Sequence, residues 1–458
     1  MQQHTAIRGP LLYLVDSPFS QSITQCLRFY ADGLLILHDG KIVEVGAYTQ
    51  LSLRYGDCPT QHYPNKLIVP GFIDTHIHLP QTEMIASYGE QLLTWLERYT
   101  FPTEQQFVDK EYASFVSEIF LDELVRHGTT TALVFTTVHS QSAEAFFEAA
   151  YKRSMRMIAG KVLMDRNAPE PLLEEAKTAY IESQQLIEKW HKKERLQYAV
   201  TPRFAITSTQ EQLNLSGKLL EEFPDVYLHT HLSENKDEIA WTKALFPKAQ
   251  NYLDVYESAG LLTERSVFAH GIYLSDKEIA KLSECRCAIA HCPTSNLFLG
   301  SGLFNLHKMK QFDQSNKIGL GTDVGGGTSF SLLATGAEAY KVAQLQKQTL
   351  TPFQMFYLAT LGGAEALCLQ DKIGSLEKGK EADFIVLDPR ATPTIAFRNQ
   401  PFLSALTPNA EPEQISEKVL HDLRSLLFSL FILGCDRVIH TTYINGTVSY
   451  QRSTTQPE

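Results

Sequence analysis

Five histidines and one aspartate stand out for their types and spacing. Asp74-Thr75-His76-Ile77-His78 sets two imidazoles two residues apart, His229-Thr230-His231 repeats the pattern, and His270 and Asp323 follow singly. On a β-strand residues i and i+2 point to the same side, so each pair would present both rings to one face. Neutral imidazoles with one carboxylate make a donor set for a first-row metal. Zinc suits it as a Lewis acid without redox side reactions, and iron(II) and manganese(II) fit the same donors. A single His-x-His is weak evidence, since most such pairs are structural or lie on the surface. The weight comes from finding complementary groups at equivalent places in separate elements.

Those elements are legible as an alternation. From Lys66 onward, short apolar or β-branched runs end in polar residues and are followed by helix-like stretches. The runs are Leu67–His78, Thr130–Val138, Arg156–Asp165, Leu196–Arg203, Val226–Ser233, Ser266–Leu274, Cys287–Thr294 and Lys317–Asp323. Eight strands alternating with helices over about 300 residues predict an α/β fold, a (β/α)8 TIM-type barrel, whose catalytic groups gather at the C-terminal strand ends. His76 and His78 end the first run, His229 and His231 the fifth, His270 lies in the sixth, and Asp323 ends the eighth. Between runs, Asp109–His127 reads as a helix with Phe115, Ile119 and Leu124 on its apolar face and Gly128 as its C-cap, and Glu170–Glu194 reads likewise. Residues 1–66 and 375–458 instead carry short strands with turn signals, such as 34–42, 382–387 and 442–448. They are expected to co-assemble into one small β-sandwich domain, with a C-terminal helix over Ser416–Leu433, around an inserted barrel of residues 67–374.

Pro70-Gly71-Phe72-Ile73-Asp74-Thr75-His76-Ile77-His78, with the later histidines and Asp323, resembles the amidohydrolase superfamily of metal-dependent hydrolases over nearly the whole chain. Binuclear members carry a carboxylated lysine at the end of the fourth strand. Here that strand ends Thr201-Pro202-Arg203-Phe204, so the resemblance implies one metal per subunit, the pattern of the superfamily's deaminases. Within these, the stretches 76–84 (HIHLPQTEM), 95–104 (WLERYTFPTE), 201–205 (TPRFA) and 229–237 (HTHLSENKD) are similar to the bacterial guanine-deaminating branch. The resemblance implies Zn2+ held by His76, His78, His231 and Asp323, with His270 either a further ligand or a partner of the attacking water. It implies substrate contacts from Gln81, Arg203, Phe204, His231, Glu234 and Asp323, with Glu234, His270 and Asp323 catalytic. The reaction so implied is hydrolysis at C2 of guanine to xanthine and ammonia, in purine catabolism or salvage. Asp323 would take the proton of the attacking water and Glu234, three residues after His231, would protonate N3. Arg203 and Gln81 suit a base with a carbonyl at C6, because an amine there would repel a guanidinium. A homodimer is also implied by the resemblance, and the apolar face of 416–433 offers an interface for it.

Related amidohydrolases acting on 8-oxoguanine, cytosine or a thio-adenosine are the enzyme alternatives. A metal-free interaction protein would show missing ligands, whereas every expected position is filled. The other zinc deaminase class, with His-x-Glu and Pro-Cys-x-x-Cys, is excluded because Cys292-Pro293 reverses the order and lacks the second cysteine. Segment 92–102 is a lid candidate: its Trp95, Tyr99 and Phe101 either cover a flat base or pack a helix on the barrel. His229 reads as a hydrogen-bonded core histidine and His291 as a packing or supporting one, its contact with the site left open. Gly325-Gly326-Gly327 lacks the ending of a phosphate loop and is expected to let backbone approach the ligand.

Composition bounds the rest. A chain of 458 residues, 43% hydrophobic and 20% charged, can bury one large core, and a net charge of -11 opposes nucleic acid. The residues after Met1 lack a secretory pattern, and the apolar run 426–433 falls short of the roughly 20 residues that span a bilayer. Seven scattered cysteines, with Cys285 and Cys287 expected as small buried hydrophobes, fit a reducing cytoplasm. The charged run 188–195 is expected to be a solvated helix face.

Overall fold

Two layers share one apolar core in the computed structural model, which describes residues 4–407 and 415–453. The chain opens with β1 (Thr5–Leu14), β2 (Leu27–His38), β3 (Lys41–Ala47), β4 (Thr60–His62) and β5 (Leu67–Pro70). Asp39 and Gly40 both take positive φ, 46° and 71°, the two-residue turn that matches the twist of the antiparallel β2–β3 pair. The barrel follows with β6 (Phe72–His78), β7 (Thr129–Phe135), β8 (Arg156–Gly160), β9 (Val162–Leu163), β10 (Gln197–Pro202), β11 (Tyr227–Leu232), β12 (Ser266–His270), β13 (Ala288–His291) and β14 (Lys317–Leu320). Then β15 (Phe384–Leu387), β16 (Ile439–Ile444) and β17 (Thr447–Gln451) return to the first layer. That layer is one continuous mixed sheet in the order β17-β16-β15-β5-β1-β2-β3, with β4 on β1.

The barrel strands run β6-β7-β8-β10-β11-β12-β13-β14, all parallel, with short β9 on β10. The eight strands fall where the eight apolar runs predict them. At the seam between β14 and β6, Thr75 Oγ1 donates to Leu320 O at 2.9 Å, and the Thr322 N–H donates to Asp74 at 3.1 Å. The Asp323 N–H donates to His76 O at 2.9 Å, so the seam itself places a carboxylate beside a histidine. Below the mouth the barrel is filled by Ile73, Leu133, Ile158, Ala199, Tyr227 and Val267. No helix among the described residues is long and apolar enough to cross a membrane.

Four expectations are revised. The run 67–78 is two strands, because Leu67–Pro70 pairs with β15 and β1 in the terminal sheet and the chain crosses to the barrel at Gly71. The helix Lys110–Arg126 does end at His127 with Gly128 at φ +80°, but it buries Val116, Phe120, Leu121 and Leu124 and leaves Phe115 63% and Ile119 40% exposed. Its sequence is apolar on two neighbouring stripes, and the barrel takes the one that includes Leu124. The stretch 170–194 forms a helix only over Ala176–Trp190, and Glu194, at φ 54°, lies beyond it. The late helix Glu417–Leu433 forms as expected, capped by Ser416, but its apolar face packs inside the molecule on the helices Leu332–Leu345 and Pro352–Ala359. Gly336 leaves room there for the Phe431 ring, so this face is not free to meet a partner.

Candidate active site

The C-terminal ends of β6, β11 and β12 and the turn after β14 converge on one point. His76 Nε2 lies 3.1 Å and His78 Nε2 3.3 Å from Asp323 Oδ1, and His231 Nε2 is 3.2 Å from His78 Nε2. The tetrahedron around a zinc ion with bonds of about 2.0–2.1 Å has edges of about 3.3 Å, so these spacings suit a shared cation. His76 Nε2 is buried and makes no hydrogen bond among the described residues, an orphaned lone pair that a metal would satisfy. His270 Nε2 stands further off, 3.7 Å from Asp323 Oδ2 and 3.4 Å from Glu234 Oε2. His270 and Asp323 both hold left-handed backbone, φ 72° and 51°, which turns their side chains inward at the strand ends.

The protonation states fit that set. Burial lowers His76 and His231 and takes His78 down to about 3, leaving neutral rings with lone pairs to offer. Burial by itself would raise the Asp323 carboxyl, but His76, His78 and His270 hold it well below the usual carboxylate range. Glu234 goes the other way: burial first, then the charge of Asp323, pushes it up to about 8. Ser301 Oγ donates to Glu234 Oε1 at 2.8 Å.

The remaining nitrogens of the cluster are held from behind. His76 Nδ1 is 2.7 Å from His229 Nε2, His231 Nδ1 donates to the Arg203 carbonyl at 2.6 Å, and His270 Nδ1 donates to Asn296 Oδ1 at 2.8 Å. His229 thus faces the cluster through His76, in keeping with a core histidine. His291 is buried, packs tilted against Phe304 with ring centroids 4.8 Å apart, and is not among the residues lining the cavity.

Over the cluster lies a cavity lined by His78, Gln81, Arg203, Phe204, His231, Glu234, His270 and Asp323, and roofed by Leu92, Trp95, Leu96 and Leu299. The structure therefore brings together every predicted substrate contact. The roof comes from a covering segment, two α-turns (Leu92–Trp95 and Phe101–Glu104) around one π-turn (Leu96–Thr100). Of its aromatics Trp95 faces the cavity, whereas Phe101 sits 5.6 Å from the Arg203 guanidinium carbon and Tyr99 packs beside Trp95. Gly326 lines the cavity, and a Cβ there would lie 2.6 Å from Ser295 Oγ.

Several supporting residues escape sequence reasoning. Glu104, Asn296 and Ser301 lie away from the strand ends, and no spacing rule marks them. Glu238 carries a readable signal: Asn235-Lys236-Asp237-Glu238 is a capping box, and Glu238 accepts from the Glu234 N–H at 2.8 Å, fixing the turn that presents Glu234.

Fold and site together define a metal-dependent hydrolase barrel, and the chain belongs to the amidohydrolase family, whose model matches residues 67–448. Over 457 residues it is 50% identical to the guanine deaminase of Escherichia coli K12, covering 98% of this chain and 99% of that protein. The solved structure of E. coli guanine deaminase superposes with a TM-score of 0.91 at 49% identity, covering 98% of this chain and 100% of that one. A guanine deaminase from C. acetobutylicum with guanine bound in its active site superposes at 0.85 and 28% identity, again covering 98% and 100%.

Proposed function

We infer that the protein is a guanine deaminase, converting guanine and water to xanthine and ammonia. The observation that carries this reading is the content of one buried cavity: a three-histidine, one-carboxylate cluster, an acid kept protonated by burial, and Arg203 with Gln81 on the wall. Full-length similarity to guanine deaminases supports it.

His76, His78, His231 and Asp323 would hold one zinc ion, with His270 at the edge of the set. Bound there, zinc supplies the Lewis acidity that lowers the pKa of a water to about 7. Asp323 takes the proton as the water oxygen adds to C2. Glu234 donates its proton to N3, so the added charge does not accumulate on the ring. His270, held by Asn296, orients the attacking water. The proton on Asp323 then passes to the amine as the C2–N bond breaks, and the proton left on the C2 hydroxyl returns to Glu234 as the carbonyl forms, giving ammonia, xanthine and the starting acid. Arg203 and Gln81 hold the base by its C6 carbonyl edge, Phe204 packs against its ring, and Trp95 closes the site to bulk water. The reading extends to a homodimer, on the resemblance to bacterial relatives, and to a cytoplasmic setting, which seven unpaired cysteines support.

The test is ammonia release from zinc-loaded protein offered guanine, 8-oxoguanine, adenine, cytosine and methylthioadenosine. The reading predicts strong turnover of guanine, with the other bases far behind. Preference for another base would retain the metal cluster and discard the substrate assignment.

A further inference from the structure

Glu104 has no part in the steps above, yet it is fully buried at the end of the covering segment, with 0% of its surface exposed. Both its oxygens accept from Arg203 Nη1, at 2.7 and 2.8 Å. The Gln81 carbonyl accepts from the Gly325 N–H at 3.1 Å, and its side chain, after Arg203, counters the burial that raises the Glu104 carboxyl. A carboxylate can only accept. Beside it the Gln81 amide is held one way round, NH2 toward Glu104, and the guanidinium is clamped by one nitrogen. Arg203 Nε and Nη2 have no protein partner among the described residues, and both Arg203 and Gln81 line the cavity.

We propose that Glu104 is a specificity-determining positioning residue: it fixes Arg203 and Gln81 as an all-donor wall that reads a purine's C6 carbonyl and N7. The proposal rests on the guanine reading. A bland counter-ion to Arg203 would need only a negative charge nearby. Glu104 also reinforces the orientation that the Gly325 N–H gives a neutral amide, and an amide turned round would offer an acceptor to the same edge. A base with an amine at C6 then gains what guanine loses.

Kinetics of Glu104→Gln on guanine and 2-aminopurine test this, with metal content measured alongside. 2-Aminopurine carries the same departing amine and lacks the C6 oxygen. We expect bound metal to be retained and kcat/KM for guanine to fall about 100-fold, mostly through KM. The preference for guanine over 2-aminopurine should shrink at least about 10-fold. If Glu104→Gln does not fold, Glu104→Asp keeps the charge while withdrawing the oxygens, and is read by the same ratio. An unchanged ratio in a variant that holds metal overturns the proposal, whether both activities fall together or neither falls. Wild-type protein without guanine turnover would overturn the guanine reading itself, and this proposal with it.

Discussion

His229 acts on the site through another side chain. Its Nε2, 2.7 Å from His76 Nδ1, fixes which His76 nitrogen faces the cluster, and partners of this kind tune metal affinity by about 10–100-fold. His229→Ala should therefore weaken zinc retention by that order in a competition with a chelator, while the fold persists. Glu234→Gln keeps the shape and removes the proton. It should hold metal as the wild type does and lose about 10²–10⁴-fold in kcat, and near-normal turnover would exclude Glu234 as the acid. At this scale the histidines and Asp323 were legible because they sit at or just after strand ends, whereas Glu234 and Arg203 were marked only by the resemblance to the family. Glu104, Asn296 and Ser301 were not legible, because each meets its partner across a long stretch of chain and an Asn or Ser in a loop has many uses.

The covering segment is the element on which water exclusion depends. Trp95 is 2% exposed over the cavity, its indole N–H has no partner among the described residues, and the π-turn behind it breaks the helical hydrogen-bond ladder. Guanine binding is expected to change tryptophan fluorescence saturably, and Trp95→Phe should abolish most of that change and raise KM several-fold. A signal that survives in Trp95→Phe would place the reporter elsewhere. The eight strand positions were readable from alternation alone, whereas the face of the helix Lys110–Arg126 was not. Phe115 and Ile119 repeat at helical spacing as well as Val116, Phe120 and Leu124 do, and only packing against the barrel chooses between the stripes.

At the scale of the whole molecule, the terminal sheet must be tied to the barrel whose sequence lies between its strands. Glu381, just before β15, accepts from Arg156 Nε at 2.7 Å and Arg195 Nε at 3.1 Å, on the barrel side. Burial opposes its charge, but Arg156, Arg195 and Lys41 draw the Glu381 carboxyl down to about 2. A carboxyl depressed on folding stabilises the native state fully above its ordinary pKa of 4.5, and that contribution is lost as pH falls toward about 2. It amounts to up to about 3 kcal/mol. Glu381→Gln should lower Tm at neutral pH and flatten the loss of stability between pH 5 and about 2.5 in denaturant titrations. An unaltered acid slope would mean that the cluster does not hold the layers together. The composite layer was foreseen because neither end of the chain joins the strand–helix alternation. The crossing point at Gly71 was hidden, since Leu67–Pro70 and Phe72–His78 are equally apolar and only pairing separates them.

One cation, held by His76, His78, His231 and Asp323, should govern guanine deamination by this chain. The most direct test strips the protein with a chelator, returns zinc stepwise, and follows xanthine formation. Activity should vanish on stripping, then rise linearly and saturate at one zinc per chain. Full turnover by the stripped protein, or saturation only at two zinc ions per chain, would contradict it.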